Sequence, residues 1–221
     1  MQALIFDVFG TCVDWRTSVA REVAKVLPGV DAVAFADAWR GEYQPAMERV
    51  RSGGRGYVPL DVIHAENLAV VAGRFGVDAP PALAAAWERL DPWPDVLPGM
   101  ARMRDRALLA PCSNGSMGLM ARLARHAGFR WDAILGADIA RDYKPKAEVY
   151  LASAAALGLR PTDVTMVAAH NDDLAAARAA GLRTAFVARP TEHGPDQATD
   201  LGPEADWDIV ATDFEALAAL V

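Results

Sequence analysis

Cysteine is scarce in this chain, positive charge is outweighed by negative, and no apolar stretch is long. The two cysteines, Cys12 and Cys112, are too few for a disulfide framework and suit a reducing compartment, which makes the cytoplasm the expected location. Neither has a partnering base nearby in sequence, and both are read as buried packing rather than catalytic thiols. Lys and Arg total 22 against 29 Asp and Glu, a net charge of −7. That balance leaves no basic footprint, so nucleic acid and anionic membrane are not expected partners. An anionic small substrate would need a few cations placed locally. The best uncharged stretch, residues 107–121, contains Pro111, Ser113, Asn114 and Gly115 and is no membrane span. Asp7 interrupts the first apolar run almost at once, which argues against a secretory signal. Internal repeats and low-complexity tracts are lacking too.

What is present is a soluble globular composition, 52% hydrophobic and 23% charged, in 221 residues. Short apolar runs read as strands: ALIFDV (3–8), ALLAPC (107–112), AILGA (133–137), VTMVAA (164–169), TAFVA (184–188) and WDIVA (207–211). Helical patterns such as SMGLMARLARHAG and AEVYLASAAALGL lie between the later ones. Continuous apolar runs alternating with amphipathic helices predict a parallel sheet covered on both faces. Residues 15 to 91 read as almost wholly helical, with RSGGRGY (51–57) as a loop and the proline-dense DPWPDVLPG (91–99) marking the return. The expected architecture is therefore α/β: a Rossmann-like parallel-sheet core (1–14 and 92–221) interrupted by an inserted helical cap domain (15–91).

In open α/β sheets ligands sit at the carboxyl ends of the strands. That rule gathers four distant segments: Asp7 to Thr11, Ser113-Asn114, the surroundings of Lys144, and AAHNDD (168–173). Asp7 at the exit of an apolar strand is costly unless its charge is used. Metal ligation, nucleophilic attack and helix capping are the uses open to it. A helical insertion leaving just after it would form a lid.

These segments, in this order, resemble the four signature motifs of the haloacid-dehalogenase-like superfamily. With FDVFGT, WRGEY, SNGS, YKPKAEVY and the helix after the fourth strand, the chain is most similar to the type II L-2-haloacid dehalogenases. The resemblance implies that Asp7 is a nucleophile that displaces halide from a small 2-haloacid, forming an aspartyl ester that water cleaves to a 2-hydroxy acid. The superfamily's phosphatases carry a second aspartate where this chain has Phe9. They also carry a metal-binding Gly-Asp where it has Ala168-Ala169, so no metal and no cofactor are expected. By the same resemblance Arg40 faces the departing halide and Asn114 is the second halide-side group. Thr11 and Ser113 orient the nucleophile and the substrate carboxylate, and Lys144 keeps Asp7 ionised. Tyr150 is a site tyrosine, and Asp173 activates water or fixes Lys144. Typical members have Ser-Ser-Asn-x-x-Asp where this chain has AAHNDD, which puts His170 in place of an asparagine. His170 is open to three readings: a second base, a cation facing substrate, or a neutral hydrogen-bonding replacement. Related sequences with histidine in this segment are associated with defluorination, which brings fluoroacetate into the expected range. Aromatics Phe9, Trp15, Trp39 and Tyr43 are candidates for an apolar pocket wall. Arg49, Arg51 and Lys146 are expected to be solvated, and His64, His126 and His193 to be surface or helix residues. Dimers are common among such relatives and are expected here. Two rivals are a Mg²⁺-dependent phosphatase of the same superfamily and a non-catalytic relative that binds a small acid.

Overall fold

The structure, a computed structural model, describes residues 2–221. The chain opens with strand β1 (Gln2–Phe6) and a short β2 (Val13–Asp14), then enters helices α1 (Trp15–Val26), α2 (Ala32–Gly41), α3 (Tyr43–Arg51) and α4 (Leu60–Phe75). A 3-10 helix (Pro81–Glu88) and β3 (Asp91–Pro92) bring it back. There follow α5 (Val96–Met103), β4 (Ala107–Ser113), α6 (Met117–Ala127), β5 (Leu135–Gly136), α7 (Ala137–Ala140) and α8 (Ala147–Ala156). The chain ends through β6 (Val164–Ala168), α9 (Asn171–Ala179), β7 (Arg183–Val187), β8 (Ile209–Ala211) and α10 (Phe214–Leu220).

Six strands form one parallel sheet in the order β5-β4-β1-β6-β7-β8, while β2 and β3 pair antiparallel where the chain leaves for the helices and returns. Alternation along β1 explains why the strand reads as uniformly apolar. Leu4 and Phe6 enter one core, where Phe6 meets Trp131 and the Phe214 ring of α10, and Ala3 and Ile5 enter the core on the other face with Val149 and Leu174. Both faces are dry, so each large side chain such as Phe6 contributes about 1.5–3 kcal/mol by burial. β1 lies between β4 and β6, which makes its carboxyl end the crevice where strand order reverses.

Caps in the sequence set several helix starts. Asp14 accepts from Thr17 N, Asp31 from Val33 N and Ala34 N, Ser116 from Leu119 N, and Asp213 from Ala216 N. Gly128, which closes the SMGLMARLARHAG pattern, ends α6 in the left-handed region that glycine adopts readily. Three expectations need trimming. The 133–137 run pairs only at Leu135 and Gly136, opposite Cys112 and Ser113, before α7 begins. At the other edge β8 starts at Ile209, because Trp207 turns its indole N–H to Asn171. Residues 81–88 form a 3-10 rather than an α-helix, opening on Pro80-Pro81. Among the described residues no helix is long and apolar enough to cross a membrane.

Candidate active site

β1 ends at Phe6, and the Asp7 backbone N–H extends the ladder to Val167 O at 2.9 Å. The carboxylate therefore stands at the crevice, and it is 7% exposed. The Thr11 hydroxyl donates to Asp7 Oδ2 at 2.8 Å and accepts from Ala169 N at 2.9 Å, tying the loop after β1 to the loop after β6. Lys144 Nζ donates to Asp7 Oδ1 at 2.9 Å and to Asp173 Oδ2 at 2.5 Å. The Tyr150 hydroxyl holds the other Asp173 oxygen at 2.5 Å. His170 bridges two carboxylates, with Nδ1 3.2 Å from Asp7 Oδ2 and Nε2 2.8 Å from Glu192 Oε2. Glu192 is fully buried, and its second oxygen accepts from Trp15 Nε1 at 2.9 Å. Gly10 makes that approach feasible: at φ +91° a Cβ would fall 2.0 Å from Glu192 Oε1.

Burial alone would raise the Asp7 carboxyl. The Lys144 charge and the His170 hydrogen bond and charge outweigh it, holding Asp7 well below the ordinary carboxylate range. Burial would likewise neutralise His170, but Glu192 and Asp7 hold it well above the ordinary imidazole range. Desolvation opposes the Lys144 charge, and Asp173 and Asp7 keep it protonated. Burial pushes the Cys112 thiol up to about 11 and Cys12 well above its usual range. Neither is a ready thiolate, consistent with their packing role.

A cavity of about 530 Å³ opens onto Asp7. Its lining joins Asp7, Asn114, Lys144 and His170 at the sheet edge to Arg40 and Tyr43 from α2 and α3. Asn114 Oδ1 accepts from Lys144 N at 2.8 Å, which orients the amide so that its N–H donors remain for the cavity. The Arg40 guanidinium lies 4.1 Å from the Tyr43 ring centroid, and its Nη1 is buried with no hydrogen-bond partner. Phe9 and Tyr43 supply the apolar wall, whereas Trp15 and Trp39 are packed behind it.

The structure thus brings Asp7, Thr11, Lys144, Asp173, His170 and Tyr150 into one bonded network, with Phe9, Arg40 and Asn114 across the cavity. Ser113 is placed differently. Its hydroxyl accepts from Gly115 N at 3.0 Å, and it is fully buried outside the cavity lining. One expectation of solvation is corrected, and one helix residue proves to face inward. Arg51 is only 11% exposed and donates to Lys144 O at 2.9 Å. His64 is buried at 2%, because the apolar stripe Leu60, Ile63, Leu68 and Val71 of α4 faces inward with it. Glu192 went unread in the sequence, although its TEHG segment lies in the loop that follows β7 (Arg183–Val187) and the glycine at position 10 leaves room for it.

Mg²⁺ takes oxygen ligands in octahedral array. Here both Asp7 oxygens accept from Lys144, Thr11 or His170, both Asp173 oxygens are engaged, and residue 169 offers only a methyl group. This donor set does not fit a divalent metal beside Asp7.

The haloacid dehalogenase-like hydrolase profile matches residues 1–181. An (S)-2-haloacid dehalogenase of Xanthobacter autotrophicus is 29% identical over 197 residues, covering 86% of this chain and 76% of that protein. The crystal structure of a defluorinating L-2-haloacid dehalogenase is 48% identical, covering all of this chain and 94% of the other, with a TM-score of 0.96. A second L-2-haloacid dehalogenase structure is 46% identical, covering all of this chain and 98% of the other, with a TM-score of 0.95. The chain belongs to the haloacid dehalogenase-like hydrolases and, within them, to the L-2-haloacid dehalogenase family.

Proposed function

We infer that this protein hydrolyses the carbon–halogen bond of short 2-haloalkanoic acids, giving 2-hydroxy acids, with Asp7 as the nucleophile. The observation that carries this reading is one ionised carboxylate, pinned by Lys144 and His170, facing across an aromatic-walled cavity an arginine whose Nη1 is buried without an acceptor. Asp7 attacks the halogen-bearing carbon from behind, the carbon–halogen bond breaks, and the halide leaves toward Arg40 and the Asn114 amide. Charge grows on the halogen only as the bond breaks, so donors waiting there stabilise the transition state more than the ground state. Halide needs no proton to depart, which suits the apolar Phe9 at its position.

Esterification removes the Asp7 charge, one of the two anions that hold His170 protonated. The imidazolium then loses its proton to solvent, and the neutral ring, still oriented by Glu192, takes a proton from the attacking water. The resulting tetrahedral centre expels the alkoxide, which collects the remaining water proton, and Asp7 returns to its carboxylate form. In this assignment Asp173 fixes Lys144 rather than activating water, since both its oxygens are engaged. Thr11 and Tyr150 position the network, and Ser113 shapes the turn that presents Asn114. The helical insertion, residues 15–91, serves as a cap that supplies Arg40 and excludes water. Two features favour fluoroacetate as one substrate: the His170–Glu192 pair and the similarity to the defluorinating relative. The enzyme is expected in the cytoplasm as a homodimer.

Halide release from chloroacetate, 2-chloropropionate and fluoroacetate, measured in the presence of EDTA, tests the reading. Silence across the panel defeats it, and activity that returns only with Mg²⁺ favours a phosphatase-type site. In a single turnover in ¹⁸O water the label should enter the peptide containing Asp7 while the hydroxy acid stays unlabelled. Label in the product instead means direct attack by water.

A further inference from the structure

The two carboxylates that hold His170 come from different loops, Asp7 from the one after β1 and Glu192 from the one after β7. Their separation therefore decides whether one imidazole can reach both. Arg189 is buried and bonds to both loops. Its Nε donates to Thr11 O at 2.9 Å, on the residue whose hydroxyl holds Asp7. Its own carbonyl accepts from Glu192 N at 3.3 Å and from Gln197 Nε2 at 3.0 Å. Gln197 closes the turn that presents Glu192: its Oε1 accepts from His193 N at 3.0 Å, and its Nε2 also donates to Thr199 O at 2.9 Å.

The guanidinium is itself fixed. Nη1 and Nη2 donate to the two oxygens of Asp95 at 3.1 and 2.8 Å. Asp95 precedes α5 and accepts from Phe214 N, at the start of α10, at 2.7 Å, so the anchor stands on two helices. The planar fork places two donors on the carboxylate and leaves Nε for the Thr11 carbonyl, a geometry that a lysine ammonium lacks. Trp93 completes the hold on the nucleophile loop, donating from Nε1 to Gly10 O at 2.7 Å and from its backbone N–H to Cys12 O at 3.1 Å.

We propose that Arg189 is a positioning residue that sets the spacing between Asp7 and Glu192 and thereby holds His170 across both. Its effect on turnover rests on the dehalogenase reading, through the water-activating step assigned to His170. Asp7 and Glu192 are the anions facing the imidazole; Lys144 stands against Asp7, and the charges of Arg40 and His193 reach Glu192. A displaced Glu192 leaves those cations less opposed, so His170 gives up its proton more readily.

The chain has four histidines, so nitrogen-15 NMR of histidine-labelled protein follows each ring, with His170→Asn assigning its signal. In Arg189→Lys, His170 should titrate at least about one pH unit lower than in the parent, a tenfold weaker hold on its proton. During turnover of chloroacetate the hydrolysis step should slow by about tenfold. Mass spectrometry of the quenched enzyme should then show more chain carrying the ester on Asp7. Gln197→Ala keeps the Arg189–Asp95 pair and should move both readings the same way by less; it decides the matter where Arg189→Lys does not fold. An unmoved His170 midpoint overturns the proposal. So does an active variant in which ester does not build up, since a merely structural loss slows both steps alike. A protein that releases no halide yet shows the lowered midpoint would lose the dehalogenase reading and keep the link between Arg189 and His170.

Discussion

The two walls of the cavity are built on opposite principles. On the sheet side, Asp7, Lys144, Asp173, His170 and Glu192 leave few polar atoms unpaired, and the loops after β1 and β6 are tied through Thr11. On the cap side Arg40 Nη1 is buried without an acceptor, and both His64 ring nitrogens, Asn67 Nδ2 and Trp87 Nε1 are also unpartnered. The sheet side is finished before substrate arrives, because a nucleophile must be held in one orientation. The cap side is left unsatisfied, because the negative charge it serves exists only once the carbon–halogen bond has begun to break.

Substitutions on the two walls should therefore fail in different ways. The largest loss is expected at the centre of the paired wall. Asp7→Asn should lower halide release by about 10⁴-fold or more and also lower the thermal midpoint, since Lys144 and His170, whose charges outweigh burial at Asp7, lose their partner. Retained turnover in a halide-electrode assay would mean that the nucleophile lies elsewhere. Next comes the unpaired wall: Arg40→Ala should cost about 10²–10³ in kcat, the scale of losing a donor to transition-state charge. An effect confined to KM would make Arg40 a ground-state binder and erase the contrast between the walls.

Glu192→Gln probes the link between burial and protonation. Removing the anion that most raises His170 lowers its pKa, so the ring becomes neutral at lower pH. The acid limb of the kcat–pH profile should move toward lower pH, and the plateau should fall by about 10–100-fold as the base weakens. A limb that stays in place means His170 does not titrate in the rate-limiting form. The smallest effect is expected at Arg51, a cap residue that reaches the sheet side through the Lys144 carbonyl. Arg51→Ala should reduce kcat by about tenfold or less through misplacement of the lysine loop, and Arg51→Lys should recover part of it. A change in KM alone would place Arg51 at the cavity mouth instead.

Much of the sheet-side wall is legible in sequence because its residues lie within a few positions of strand ends. Asp7 follows an apolar run, Asn114 follows another, and His170 to Asp173 follow a third, so recognising the strands was enough to bring them to one edge. The same rule brings in Thr11 and the surroundings of Lys144, whereas Arg40 and Tyr150 are legible only through their family motifs. Ser113 shows the limit of that route: it stands at the expected edge, yet its hydroxyl serves the turn at Gly115. Glu192 and His64 were not legible. Glu192 meets Trp15 across 177 positions of chain, and an acidic residue in a polar loop looks like solvent-facing surface. His64 sits in the apolar stripe of α4, where helical periodicity could have marked it as buried, although a polar residue there reads as an interruption.

The chain's own order of residues determined the parallel sheet, the interruption by helices and the place of Asp7 at the exit of the first strand, because apolar runs, capping residues and glycine punctuation act over a few residues at a time. Only the folded structure decided that His170 stands half-buried between two carboxylates that favour its protonated form and that Arg40 Nη1 is left without an acceptor. Protonation and pairing depend on desolvation and on charges brought together from remote parts of the chain, and neither quantity exists until the chain has closed around the site.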